Sequence, residues 1–169
     1  SATKHIDGQG RCLGGVILGD AEFIENKLHD YLKHTGPALS PFNAWIMMKG
    51  LETLSIRTDR QIDSAKKLAD YLVDLVNIKE VIYPGHKSHP EYSIAQKQMT
   101  GGGPIVTFKV DGGKKKAFDF LNKLALIKIS NNLGDARTLI THPKTTTHRN
   151  LSDSECIDLG ITDSTLRIS

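Results

Sequence analysis

At 169 residues, 38% hydrophobic and 24% charged, the chain is long enough for one ordinary domain with a real core, and its composition excludes disorder. The net charge of +3 is interspersed, and its densest basic run, Lys114-Lys115-Lys116, lacks the aromatic or arginine-rich company of a nucleic-acid patch. No apolar segment approaches the ~18 residues that cross a membrane, and two cysteines, Cys12 and Cys156, are too few for a disulfide framework and suggest a reducing, cytoplasmic setting.

In chain order, CLGGVILG at 12–19 reads as a strand that ends at glycine. Asp20 is placed to cap a helix over about residues 21–34, with Phe23, Ile24, Leu28, Tyr31 and Leu32 as its apolar face. Gly36-Pro37 breaks it, and Ser40-Pro41 starts the next helix, a cap followed by proline in the first turn. Trp45-Ile46-Met47-Met48-Lys49-Gly50 is expected as buried helix core. The clearest periodicity comes next: Ile62, Ala65, Leu68, Ala69, Leu72, Leu75 and Val76 recur at helical spacing until about Asn77. Lys79–Tyr83 turns strand-like before Pro84-Gly85, a helix is expected near 91–99, and Gly101-Gly102-Gly103 leads into a strand over Pro104–Val110. A helix over about 113–124, strands at 125–130 and 138–141, a capping-box helix at Ser152-x-x-Glu155 and a strand at Leu166-Arg167-Ile168 complete the pattern.

The chain divides into two pieces. Residues 1–77 read as the end of a larger domain followed by long connecting helices, and 78–169 as a small α/β domain that stops inside its last strand. With no initiating methionine, the sequence is expected to be processed, excised or partial.

Chemistry concentrates at the two ends. Ser1-Ala2-Thr3-Lys4 precedes a glycine-rich run, Gly8-Gln9-Gly10-Arg11-Cys12-Leu13-Gly14-Gly15. A P-loop would place its lysine after the glycines, and a dinucleotide fingerprint needs another glycine spacing, so neither applies. A lysine amine can condense with a cofactor aldehyde and carry protons, while hydroxyls and backbone N–H groups hold a phosphate. By spacing alone, an exposed loop lysine is the ordinary reading of so short a pattern. His86, His89, His142 and His148 lack the spacing of a zinc site, and no metal is expected. Near the C-terminus, Asn131-Asn132-Leu133-Gly134-Asp135 joins amides to a turn, and His142–His148 is rich in hydroxyls. Arg167 should point opposite to Leu166 and Ile168, and its planar fork suits a carboxylate, although an edge arginine facing water fits the same pattern.

Taken together, S-A-T-K at 1–4, G-P-x-L-S-P-F-N-A-W at 36–45, K-G-L-E-T-L at 49–54, N-L-G-D at 132–135, I-T-H-P at 140–143, T-T-H at 146–148 and G-I-T-D-S-x-x-R at 160–167 resemble the C-terminal part of the cysteine/methionine metabolism family of pyridoxal phosphate enzymes. The resemblance covers the whole chain. Within the family, I-D-G-Q-G-R-C at 6–12 is similar to the O-succinylhomoserine sulfhydrylase branch, and asparagine in place of the more usual serine at position 132 fits that branch.

The resemblance implies an α/β fold: the end of a fold type I (aspartate aminotransferase-like) large domain, connecting helices and a small C-terminal domain. It implies pyridoxal 5'-phosphate held by Lys4 as the Schiff-base lysine, with Ser1 and Thr3 on the phosphate. Arg167 would take the substrate α-carboxylate, helped by Asn132 and Thr147. The implied reaction replaces succinate of O-succinyl-L-homoserine with sulfide to give L-homocysteine. Cystathionine γ-synthase or γ-lyase chemistry is the alternative in the same family, and a non-catalytic association module is the alternative of another class. The family implies a homotetramer acting on small molecules, without nucleic acid or membrane. It also implies that the pyridine-nitrogen aspartate and the aromatic residue stacked on the ring lie upstream of Lys4, so the 169 residues alone are expected to be inactive.

Overall fold

Strict alternation makes an interior strand of the sheet. In Val106–Val110, Val106, Phe108 and Val110 are buried while Thr107 and Lys109 are half-buried, so one face of the pleat is core. The computed structural model describes residues 1–169. Its sheet has five strands: β1 (Ile78–Ile82), β2 (Val106–Val110), β3 (Lys128–Ile129), β4 (Leu139–Thr141) and β5 (Thr165–Ile168). Their spatial order is β1-β2-β5-β4-β3, antiparallel except for the parallel pair β3–β4. A mixed sheet with flanking helices is an α/β architecture.

Register fixes what each face carries. Phe108 stands opposite Leu166, and Ile168 opposite both Val106 and Ile140, so these apolar residues share one face. Arg167 stands opposite Thr107 and Thr141, which puts it on the other. β5 is an interior strand with a partner on each side, so the edge-strand reading of Arg167 fails.

The chain also forms seven α-helices. α1 (Ala21–Phe23) runs through a π-helical segment, Ile24–Leu28, into α2 (His29–Thr35), and none of these residues is buried. Asp20 caps the start by accepting from Phe23 N at 2.8 Å, and Gly36 ends it at φ +79°, a left-handed conformation that favours glycine. α3 (Pro41–Leu51) begins where expected, with Ser40 Oγ accepting from Asn43 N. α4 (Leu54–Val73), α5 (Tyr92–Gln98), α6 (Gly113–Asn122) and α7 (Asp153–Asp158) follow, the last opened by the expected capping box of Ser152 and Glu155.

The larger core joins Ala65, Ala69 and Leu72 of α4, Ala117 and Leu121 of α6 and the apolar strand face. Phe108 meets Phe120 edge-on at 5.7 Å. A second, small cluster unites Ala2, Cys12, Ile46 and Met47, with Ile6 against it.

Three expectations change. Residues 12–19 form no strand: no other strand pairs with them, and Leu13, Val16, Ile17 and Leu18 are exposed. In α3 only Ile46, Met47 and Gly50 are buried, a stripe narrower than the run Trp45–Gly50, with Trp45 and Met48 off it and exposed. The long helix stops at Val73 rather than near Asn77, because turns with Leu75 N on Leu72 O and Ile78 N on Leu75 O take over, leaving Val76 97% exposed.

Candidate active site

Lys4 sits in a turn whose backbone is closed on itself. Asp7 N donates to Ala2 O at 2.9 Å and Gly8 N to Lys4 O at 2.7 Å, while Ala2 N reaches Gly14 O across the glycine-rich run. The Asp7 carboxylate is buried and accepts from Arg11 N at 2.6 Å and Arg11 Nε at 2.8 Å. Burial alone would raise its pKa, but hydrogen bonds from Arg11 and Cys12 and the Arg11 charge outweigh it and hold the carboxyl below its usual range.

The loop around Asn132 closes over this turn. Ala136 N donates to Gly8 O at 2.7 Å, and Gly134, at φ +72°, lies so close to His5 that an added Cβ would stand 2.8 Å from its backbone nitrogen. Asp135, buried, accepts from Arg137 Nε and Nη2, and its carbonyl accepts from Gln61 Nε2 of α4. The Arg137 hydrogen bond, against the cost of burial, keeps the Asp135 carboxyl low.

These contacts bring together residues that the chain separates widely. Lys4 Nζ donates to Asn132 Oδ1 at 2.5 Å across 128 positions. Arg167 Nη2 donates to the carbonyls of Asn131 at 3.1 Å and Asn132 at 3.4 Å. Its Nε is buried with no partner, and burial pushes the guanidinium pKa down from its ordinary value. Asn132 thus links an amine and a guanidinium that still has a donor to give. A buried unpaired donor is costly, and an incoming carboxylate would satisfy it.

The other sequence-named residues lie as follows. Ser1 is exposed at the start of the turn. Thr3 Oγ1 accepts from Gly14 N at 3.0 Å and gives its own proton to Gly14 O at a long 3.3 Å. Thr147 is exposed, with its hydroxyl on His148 Nδ1, and no hydrogen bond joins it to Arg167 or Asn132. His142 is buried, with Thr145 Oγ1 and the Asp163 carbonyl on its two ring nitrogens.

Three further groups at this site carry no mark in the sequence pattern: His5, Arg57 and Gln61. His5 adjoins Lys4, and Arg57 and Gln61 belong to the site only through contacts far along the chain. The His5 Nδ1 is buried without a partner, and burial together with the Arg57 charge lowers its pKa. Histidine depressed in the fold is protonated first in the unfolded chain, so its contribution is whole above about pH 6.5 and is lost as pH falls toward the folded value. Thermal stability should therefore decline from pH 7 to pH 5, and His5→Phe should flatten part of that slope. Melting curves of both proteins across this range check it; parallel slopes would contradict it.

Comparison with known proteins decides the family. A profile described as "Cys/Met metabolism PLP-dependent enzyme" matches residues 1–169. The chain belongs to this family. It is 50% identical over its whole length to an O-succinylhomoserine sulfhydrylase of Mycobacterium tuberculosis, and 44% identical to one of Pseudomonas aeruginosa. It spans 43% and 42% of those relatives' lengths. In three dimensions it superposes on cystathionine gamma synthase from Xanthomonas oryzae pv. oryzae with a TM-score of 0.94 and 31% identity, covering all of this chain and 44% of that one. Pyridoxal phosphate is the cofactor of this family, and the donor set here suits it: an amine at the end of a braced turn, and beside it a guanidinium with a free N–H.

Proposed function

We propose that this chain supplies the cofactor lysine and the carboxylate clamp of an O-succinylhomoserine sulfhydrylase, which makes L-homocysteine from O-succinyl-L-homoserine and sulfide. The observation that carries this reading is the convergence of Lys4 and Arg167 on Asn132, one on its side-chain oxygen and the other on its backbone carbonyl. An amine and a carboxylate-binding fork fixed to one residue hold the two ends of an amino-acid substrate in a constant relation.

Each residue has its part. Lys4 holds the cofactor, and its amine then moves protons at the substrate carbons. Asn132 accepts from that amine and aims it. Arg167 gives its free Nε–H to the α-carboxylate. Ser1 and Thr3 take the cofactor phosphate, a phosphate oxygen replacing the long bond from Thr3 Oγ1 to Gly14 O. Thr147 joins the carboxylate end by turning its hydroxyl from His148. When bound, pyridoxal phosphate supplies the electron sink that lets succinate leave the γ-carbon and sulfide take its place.

In this reading residues 1–77 are the end of the cofactor-binding domain with its connecting helices, and 78–169 belong to the small domain. The working enzyme is a cytoplasmic homotetramer that completes the site with residues outside this chain. The close superposition on a cystathionine gamma synthase supports the second reading, in which cysteine rather than sulfide is the incoming thiol. Product analysis of the protein as encoded separates the two. O-succinylhomoserine with sulfide should give homocysteine, and with cysteine little cystathionine; dominant cystathionine would overturn the sulfhydrylase reading.

A further inference from the structure

The geometry points to Arg57 of α4 as the residue that positions Lys4, an inference that rests on the functional reading of Lys4 above. Its guanidinium makes no hydrogen bond to the Lys4 side chain or to Arg167. It instead gathers the backbone that carries Lys4. Nη1 donates to His5 O at 3.0 Å, and Nη2 to Ile6 O at 3.2 Å and Gly50 O at 2.8 Å, while Nε is held by Thr53 Oγ1 at 3.1 Å.

Most carbonyls on either side of His5 and Ile6 already have partners. The carbonyls of Ala2 and Lys4 are taken by the amides of Asp7 and Gly8, that of Asp7 by Arg11 Nη2, and that of Gly8 by Ala136 N. His5 and Ile6 lie between them, and Arg57 alone takes both of their carbonyls. Without it, the carbonyls of His5 and Ile6 lose their hydrogen-bond partner, and the segment between Lys4 and Asp7 is held only at its two ends.

Two glycines make room for the clamp. Gly8, at φ +68°, lets the guanidinium lie against the turn: a Cβ there would fall 2.2 Å from Nη1 and 2.7 Å from Cζ. Gly50 brings α3 onto Ile6, so that one guanidinium nitrogen bonds both carbonyls. A planar fork is required, since its donors leave in fixed directions toward three carbonyls and a hydroxyl; an ammonium on a flexible stem is a point charge. Arg57 is thus a positioning residue, joining the cofactor lysine to the start of the long helix whose far half is built into the sheet core.

The test reads the turn directly, in the protein as encoded. Amide hydrogen exchange at Asp7 and Gly8 should accelerate in Arg57→Ala by at least about tenfold, the effect of one lost charge-assisted hydrogen bond, with Phe108 and Leu166 in the sheet unchanged. Arg57→Lys should fall between, and it carries the measurement if the alanine variant does not fold. Capture of pyridoxal phosphate by cofactor-free protein, followed by visible absorbance, should slow by about tenfold or more as the amine loses its place. Exchange that is unchanged, or that accelerates equally across the sheet, would overturn the clamp. So would a capture rate that neither variant alters. Wild-type protein that takes up the cofactor without linking it to Lys4 would instead overturn the functional reading, and with it the claim that Arg57 serves that lysine.

Discussion

Lys4→Ala should lower turnover of O-succinylhomoserine by roughly a thousandfold or more, because it removes both the covalent anchor of the cofactor and the group that moves protons at substrate. Stability should hardly change. The Lys4 side chain makes one hydrogen bond, to Asn132 Oδ1, while the turn is held by backbone and by Asp7, Arg11 and Arg57, which the substitution leaves in place. Activity and melting temperature measured together therefore separate a chemical role from a structural one. Lys4→Arg keeps a cation beside Asn132 but cannot form the link, so it should be as inactive as alanine. Borohydride reduction of the wild-type enzyme followed by peptide mapping should leave the cofactor mass on Lys4. Near-normal turnover in either variant, or label on another lysine, would end the assignment.

Arg167 shows how far a sequence pattern carries. Its alternation with Leu166 and Ile168 is legible from the chain, and the sheet places it opposite to both. What the chain cannot tell is whether that strand lies at an edge, since this depends on which strands pair with it. β2 and β4 enclose the strand, and the arginine, half-buried, lies against the carbonyls of Asn131 and Asn132. Helix starts were legible where a cap marked them, as with Asp20, Ser40 and the box at Ser152, and the long helix was legible from its period.

The segment at 12–19 went the other way for a physical reason. Valine, isoleucine and leucine suit a pleated surface, but strand formation needs a ladder of pairs, and the backbone bonds of this segment stop at Gly14, on the turn of Ala2 and Thr3. The site was legible only in part. Lys4, Asn132 and Arg167 stand in motifs that resemble the family's, but the bonds uniting them span 128 and 35 positions. Arg57 sits within a helix at no distinctive spacing, and what marks it is three carbonyls, which no side-chain pattern encodes.

Those carbonyls lead to the largest expected loss of stability, at Gly50. Its φ is ordinary, so the argument is one of space alone. A Cβ at this position would stand 2.0 Å from Ile6 O and 3.0 Å from Ile6 C, with Asp7 O at 3.3 Å. All three atoms are backbone, so no side chain can swing aside; either α3 or the Lys4 turn must move. Gly50→Ala should then cost about 3 kcal/mol, the upper end of ordinary overpacking, because the shift also parts Ile6 O and Gly50 O from their shared donor on Arg57. Gly15→Ala is the matched control: nothing lies within 4 Å of its added carbon. Calorimetry of the two should show Gly50→Ala melting lower by roughly 6–12 °C and Gly15→Ala within about a degree or two of wild type. Since Lys4 rides on the displaced turn, cofactor capture should slow in the first variant and not in the second. Equal melting temperatures would mean that the approach of α3 to this turn is looser than the carbonyl contacts require, and Arg57 would then have no fixed point from which to hold it.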